Sequence, residues 1–490
     1  MKIAYISSEA VPFVKTGGLA DVAGALPKAM QKLGCEVKVF IPKYSDINET
    51  NFDLTYRDDI GEIQLKIAGE LRVVRIYQDK LPDSDILVNF IDCPYYFNRE
   101  SIYTDDIDED ERFILFCKSV IEVMRLENYS PDIIHCNDWQ TGLIPLYIKD
   151  NYKGETIFSK TKTMFSIHNI GYQGRFPKSS MRKADINEIY YFREGPVEIE
   201  NTFSFLKTGL WFADIITTVS ETYSKEILTP EYGSGLENVL ILRRNSLYGI
   251  LNGADYTAWN PAHDIYLPFQ YSGENLLGKL ENKKYLLAKF NLKYNEKIPL
   301  IGIVSRLSGQ KGFDIFAEAL PELLKLNTQW IIVGNGDKRY EDLFKSLSLN
   351  FPDKIISYIG FNNELSHLVV AGSDMFVMPS HYEPCGLTQI YSLKYGTIPI
   401  VRKTGGLADT IKDWDELSYQ GFNTGNGFSF HDYTGYALYS SVKRGVDTFP
   451  HKDTWNKLQL NGMSNDFSWD KSAQKYVQLY DQLINGSLNS

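Results

Sequence analysis

Six places in the chain carry residues whose types and spacing suit chemistry on a charged leaving group. Lys15, Gly17 and Gly18 stand in KTGGLAD near the N-terminus. Asp138 and Trp139 stand in HCNDWQTGL, and His168 and Asn169 open HNIGYQG. Arg306 and Lys311 flank Gly309 in SRLSGQKGFD, and Glu383 stands in SHYEPCGLTQ. Thr404, Gly405 and Gly406 belong to a second KTGGLAD, at 403–409. Arginine offers a fork for phosphate oxygens and lysine a point charge. Paired glycines before a helix let backbone N–H groups approach an anion. This set could stabilise charge on a departing diphosphate without a metal. A carboxylate such as Glu383 beside a glycosyl centre could hold hydroxyls, stabilise an oxocarbenium-like state, or attack as a nucleophile. The set suits sugar transfer from a nucleotide sugar.

Each group also has a plainer reading. A single Lys or Arg is usually solvated or in a surface pair. His168 could be a structural histidine, and Glu383, which precedes Pro384, a carboxylate at a helix start. Cys385 reads as a small buried residue. The acidic run 105–111 reads as a solvated cap before an apolar helix at 113–124, and Asp83-Ser84-Asp85 as a loop. Gly334-Asn335-Gly336-Asp337 resembles a dinucleotide turn, but Asp353 is only roughly placed for the ribose acid of a nicotinamide oxidoreductase.

Apolar strand candidates must position these residues. They fall at 3–7, 37–42, 86–91, 133–136, 163–168, 215–220 and 248–251, then at 300–305, 330–334, 355–359, 375–379 and 398–401. Strands alternating with helical runs imply parallel sheets. Every chemical group listed follows one of these strands, so the groups converge at the C-terminal sheet edges, where doubly wound domains bind ligands. The expected division is an N-terminal domain over 1–253 and a C-terminal domain over 254–469. The segment 260–274 reads as a linker, the amphipathic helix 470–484 packs back on the first domain, and 485–490 is a flexible tail.

At 490 residues the chain needs more than one core, and 43% hydrophobic with 23% charged residues is ordinary for a globular protein. A net charge of −11 disfavours nucleic-acid and membrane partners. Five scattered cysteines without a CxxC argue for reduced thiols in a cytoplasmic setting and against a zinc site. The N-terminal apolar run is broken by Ser7, Ser8 and Glu9, so it reads as a strand.

The motifs SSEAVPFVKTGGLADVAGALP, HCNDWQTGL, FSIHNIGYQGRFP, YGILNGADYTAWNP, GIVSRLSGQKGFD and MPSHYEPCGLTQIYSLKYGTIPIVRKTGGLADT, in this order, resemble bacterial glycogen synthases and plant starch synthases nearly end to end. The resemblance implies the α/β GT-B fold, with two Rossmann-like domains facing across a deep cleft. It implies glucose transfer from ADP-glucose to the non-reducing end of an α-1,4-glucan, with retention and release of ADP. It implies no cofactor and no metal. Catalytic positions carried over are His168, Glu383, Arg306, Lys311 and Lys15. The donor set is Lys15, Gly17, Gly18, Asn252, Ser305, Arg306, Lys311, Phe361 (stacking on adenine), Tyr382, Glu383, Cys385, Gly386, Leu387, Thr404, Gly405 and Gly406. The acceptor set is Asp21, Tyr95, Tyr96, Asp138, Trp139 and Asn169. Two departures stand out. The usual HDWH is NDWQ here, with Asn137 and Gln140, and Tyr391 stands where other retaining GT-B families place a second glutamate. The chain carries no plant-type N-terminal extension, which favours a bacterial-type enzyme. A UDP-glucose donor, a small acceptor, and a glucan-binding protein without activity are the competing readings.

Overall fold

A computed structural model describes residues 1–487 of the chain. Two compact units emerge. The first takes Met1–Val219, Ser224–Gly253 and the closing helix Trp469–Ile484; the second takes Ser220–Tyr223 and Ala254–Ser468.

In the first unit seven strands lie parallel, in the order Leu247–Gly249, Ile215–Thr218, Lys162–Ile167, Ile133–Asn137, Lys2–Ile6, Glu36–Pro42 and Leu87–Asp92. Their continuous apolar character fits burial on both faces. The order reverses at Lys2–Ile6, which pairs with Glu36–Pro42 on one side and Ile133–Asn137 on the other. Beyond Leu87–Asp92 the sheet continues antiparallel through Glu70–Lys80, which also pairs with Ile63–Ile67 and Thr55–Tyr56. Apolar runs give no sign of this edge. Glu70–Lys80 (ELRVVRIYQDK) alternates and keeps one face in solvent. A small antiparallel sheet of Arg175–Phe176, Thr202–Ser204 and Glu198–Ile199 stands apart.

The closing helix belongs to this unit. Tyr476, Leu479, Tyr480 and Leu483 are buried, each worth roughly 1.5–3 kcal/mol. The Tyr480 hydroxyl lies 2.6 Å from His135 Nδ1, and Ser472 Oγ donates to the Leu251 carbonyl at 2.6 Å. A Cβ on Gly253 would lie 2.5 Å from the Trp469 backbone, so the chain can pass there only as glycine. Of the expected tail, the Ser487 N–H donates to the Gln482 carbonyl at 2.9 Å, and 488–490 lie outside the described residues.

The second unit is a six-stranded parallel sheet ordered Ile355–Ile359, Gln329–Gly334, Leu300–Val304, Met375–Met378, Ile398–Arg402 and Phe428–Phe430. Its order reverses between Leu300–Val304 and Met375–Met378. The segment 260–274 is packed rather than a linker. Asp264 is buried, accepts from the Tyr395 hydroxyl at 2.5 Å and lies 2.8 Å from His367 Nδ1, while Leu267 and Tyr271 pack with Val370, Phe376 and Tyr395.

The acidic run is exposed over 105–107 as expected but paired and largely buried over 108–111, and its helix starts earlier than expected, at Glu109–Leu126. Arg99 bridges Asp106 and Asp108, buried Arg112 holds Glu109, and Lys183 meets Asp110 and Glu111. Among the described residues no helix is long and apolar enough to cross a membrane.

Candidate active site

In the first unit the predicted groups line the C-terminal sheet edge beside the strand where the order reverses. The loop after Lys2–Ile6 leads to the helix Gly18–Lys32. Its Thr16 and Gly17 amides are taken by the carboxylate of Glu9, at 2.5 and 3.3 Å, and Thr16 Oγ1 donates to it at 2.9 Å. Burial raises the pKa of that carboxylate, against the lowering effect of these bonds. Sequence reasoning missed Glu9, which in sequence is one more polar residue after Ser7 and Ser8 at a strand exit. A Cβ on Gly17 would meet nothing closer than 3.9 Å, and one on Gly18 nothing within 4 Å, so both glycines border open space. Lys15 pairs with Asp21 at 2.7 Å, both partly solvated.

After Ile133–Asn137 comes Asp138, whose φ of 55° and ψ of −178° is a conformation nearly reserved for glycine. The strain is held by its bonds. Its N–H donates to the Ser166 carbonyl at 3.0 Å, and its carboxylate accepts from the His168 N–H at 2.7 Å. Burial pushes the Asp138 pKa up to about 7, against these bonds to His168 and Asn169. Burial likewise drives His168 down to about 3, so its imidazole is neutral. Asn137 decides which tautomer it holds. The Asn137 amide nitrogen donates to the Ile6 carbonyl at 2.9 Å, so its oxygen must face the other way. That oxygen accepts from the Tyr5 hydroxyl at 3.2 Å and lies 2.9 Å from His168 Nε2, which therefore carries the proton. The other departure, Gln140, is buried, and its side-chain oxygen has no partner among the described residues.

The acceptor candidates divide. Trp139 is only 9% exposed and packs edge-on to Phe113 and flat against Gly174, where a Cβ would lie 2.3 Å from the ring. One edge still lines a cavity of about 420 Å³ with Glu109, Tyr172 and Arg175. Tyr96 is buried with its hydroxyl donating to Glu111 at 2.7 Å, whereas Tyr95 is exposed under the Arg72 guanidinium. Asn169 accepts from the Gly171 N–H at 3.0 Å. Asn252 is buried and its side-chain oxygen is without a partner among the described residues.

In the second unit candidate residues meet beside the point where the strand order reverses. Lys311 follows Leu300–Val304, and Glu383 follows Met375–Met378. Lys311 Nζ meets Glu383 Oε2 at 2.6 Å, and Ser380 Oγ donates to the same oxygen at 2.9 Å. Glu383 is 6% exposed. Arg306 is exposed and makes no contact with that pair, and Ser305 Oγ donates to the Arg306 carbonyl at 3.2 Å. Gly312 (φ 77°) starts the helix Phe313–Leu323, where a Cβ would lie 1.9 Å from the Pro379 carbonyl. Gly405 (φ 44°) and Gly406 pack on the Glu383 loop: added Cβ atoms would lie 2.0 Å from the carbonyls of Glu383 and Cys385. The Gly406 N–H donates to the Glu383 carbonyl at 3.1 Å. Thr404 and Cys385 are buried, the Tyr382 carbonyl accepts from Gln310 at 3.3 Å, and Gly386 has φ 70° ahead of Leu387 and the helix Thr388–Lys394. Phe361, just past Ile355–Ile359, is 81% exposed.

The glycines of Gly334-Asn335-Gly336 serve packing. Cβ atoms there would lie 1.9 Å from the Ser305 carbonyl and 2.3 Å from that of Leu307. They bring the two loops together and give no sign of a dinucleotide. Tyr391 stacks parallel on Trp259 at 4.2 Å, and Trp259 stacks in turn on His367 at 3.6 Å. An aromatic stack fills the place where a second glutamate would stand.

Residues 2–242 match the family model of the starch synthase catalytic domain, and residues 287–437 match glycosyl transferases group 1. Glycogen synthase of Desulforudis audaxviator is 43% identical over 98% of this chain and 96% of its own. That of Thermosipho africanus is 43% identical over 99% of both. The chain belongs to the glycogen synthase family. This family member is a glucosyltransferase on the GT-B fold. The catalytic domain of Arabidopsis thaliana starch synthase IV, solved with ADP and acarbose, covers 99% of both chains with a TM-score of 0.90 and 32% identity. Sucrose-phosphate synthase of Thermosynechococcus elongatus shares the fold, with a TM-score of 0.57 at 16% identity. In this synthase the strand ends hold Lys311 with Glu383 and His168 with Asn137, while Arg306, Lys15 and Phe361 reach solvent without joining either pair.

Proposed function

We propose that this glycogen synthase takes glucose from ADP-glucose and adds it to the non-reducing 4-hydroxyl of an α-1,4-glucan with retention of configuration. The observation that carries this reading is the Lys311–Glu383 contact at the reversal point of the second sheet. A cation and a carboxylate there suit the two ends of the breaking bond. Arg306 and Lys311 take up charge on the β-phosphate as the anomeric C–O bond breaks, and Lys15 adds a third cation. Glu383 holds sugar hydroxyls beside the oxocarbenium-like centre. The attacking hydroxyl forms the new C–O bond on the same face, and its proton leaves with the ADP oxygen. The neutral His168 contributes through its backbone carbonyl beside the anomeric carbon, on a loop fixed by Asp138 and Asn137. Phe361 offers an exposed face to adenine. The Trp139–Tyr172 cavity is the acceptor site.

Gly405 and Gly406 act here by seating the Glu383 loop, since their Cβ positions are filled by its backbone. The reaction so written asks for no resident cofactor. Five buried free thiols suit a reducing compartment, and the cytoplasm is the proposed location. One assay tests the reading: nucleoside diphosphate release with ADP-glucose or UDP-glucose against glycogen, maltose or no acceptor. ADP release that requires glycogen supports it. Preference for UDP-glucose or for maltose overturns the donor or the acceptor assignment.

A further inference from the structure

A second cavity in the first unit, of about 770 Å³, lies outside the residues assigned to the reaction. It falls within the range of small-molecule sites. Trp211, at the end of the helix Phe205–Phe212, lines it with a half-buried ring, and its indole N–H meets no acceptor among the described residues. Around it stand the side chains of Arg193, Glu194, Asn201 and Asn238, all exposed and without a hydrogen-bond partner among the described residues.

The wall that presents them is held under strain. Glu194, Glu200 and Asn201 have φ of 60°, 49° and 62°. Buried Glu198 holds the first and last of these, its carboxylate accepting from the N–H of Glu194 at 2.7 Å and of Asn201 at 2.6 Å. Lys207 is spent on the Glu198 carbonyl at 2.6 Å. Three glutamates face two cations there, which disfavours an anionic ligand. A flat ring among carboxylate and amide groups suits a neutral polyhydroxylated chain, which offers a C–H face to the ring and hydroxyls to the rim.

The place of this cavity names the ligand more closely. It shares a wall with the Trp139–Tyr172 cavity. Arg175 lines one and Glu200 the other, and the two pair at 2.5 Å; Ser234 and Gly235 are likewise divided between them. A glucan end seated in the first cavity has its next stretch of chain beside the second.

We propose that the Trp211 cavity is a distal subsite that holds the acceptor α-glucan several residues away from the growing end. The proposal rests on the glucan-acceptor reading above. It predicts that long glucans bind better than short ones through contacts that take no part in transfer.

The test is native electrophoresis in gels containing glycogen, joined to turnover with ADP-glucose and either glycogen or maltotriose. Trp211→Ala is expected to weaken retardation by glycogen, and to raise its apparent KM, by about tenfold. Turnover with saturating maltotriose and the KM for ADP-glucose stay at wild-type values, and Trp211→Phe restores much of the retardation. An Asn201→Ala, Asn238→Ala double variant, altered only at exposed side chains, shows the same direction and decides the matter if Trp211→Ala misfolds. Wild-type retardation in both the alanine variant that folds and the double variant overturns the subsite. Failure of the wild-type enzyme to release ADP overturns the functional reading instead, and the gel still reports on the cavity.

Discussion

Lys311 and Glu383 cannot be tested one at a time, because each is the other's ion-pair partner and Glu383 is buried. Lys311→Met leaves a carboxylate that is 8% exposed with Ser380 as its remaining donor. Stranding one member of a buried pair costs roughly 3–5 kcal/mol. Glu383→Gln is milder, about 1–2 kcal/mol, because Lys311 is 19% exposed and solvent reaches it. The double variant removes the stranded charge, so its loss falls short of the sum by roughly 2 kcal/mol or more. Denaturant unfolding of the four proteins gives this coupling. Turnover carries the second half. If Lys311 neutralises the departing diphosphate, Lys311→Met lowers kcat by about 10²–10³, or about 2.7–4 kcal/mol, with ADP-glucose saturating. Stability effects are separated by assaying well below each variant's unfolding temperature. Coupling under about 0.5 kcal/mol refutes the pair as a structural unit. Wild-type kcat in folded Lys311→Met refutes the leaving-group role, whatever the coupling.

Lys15→Ala is expected to cut turnover at least tenfold, while Lys403→Ala, which loses only a surface pair with Glu416 at 3.0 Å, stays within twofold; initial rates of ADP release decide. Asn137→Ala strands the Tyr5 hydroxyl and His168 N–H, so it should cost about 1–3 kcal/mol in unfolding and lower kcat, with Asn137→His recovering part of both. Asp138 has a folded pKa raised from 3.8 to about 7, so its contribution to stability is full in acid and is lost as pH rises through about 7. Folded Asp138→Asn should therefore gain stability relative to wild type between pH 5 and 8.5; a gap independent of pH would mean that Asp138 does not titrate there. Incubation with EDTA should leave glucose transfer unchanged, and loss of transfer restored by a divalent cation would show a metal requirement.

All twelve strands read from apolar runs appear within two residues of their expected ends, because buried parallel strands need such runs on both faces. Elements that escaped have one wet face or follow polar turns: Glu70–Lys80 alternates, and Phe428–Phe430 is three residues after a Gly- and Asn-rich loop. Placement at strand ends was equally legible, since it needs only strand positions and direction. Partners were not. The segment 260–274 has a linker's composition, yet Asp264 is buried against Tyr395 and His367, more than 100 residues away. Nothing local tells Glu9 from any other acid after a strand, and only the folded loop brings the Thr16 and Gly17 amides to it. Asn137 looks like a lost histidine in sequence. In the fold it fixes the His168 proton, because the Ile6 carbonyl leaves its amide one orientation.

The repeated KTGGLAD shows how far surroundings override identical local chemistry. In the first copy the helix starts at the second glycine, Gly18, and Gly17 is extended with φ −151°. In the second the helix starts at the first, Gly405, with φ 44°. Seven identical residues have identical propensities, so the difference comes from what each loop meets. Glu9 lies under the first copy, draws the amides of Thr16 and Gly17 onto one carboxylate, and leaves open space on the outer side of both glycines. The backbone of Glu383–Cys385 lies against the second and fills both Cβ positions. The aspartates diverge in the same way: Asp21 holds Lys15, whereas Asp409 accepts from the Thr222 N–H and hydroxyl. Alanine should thus be tolerated for folding at Gly18 and not at Gly406. A Cβ at Gly18 costs only the space that a ligand would use, whereas one at Gly406 must displace the loop that carries Glu383.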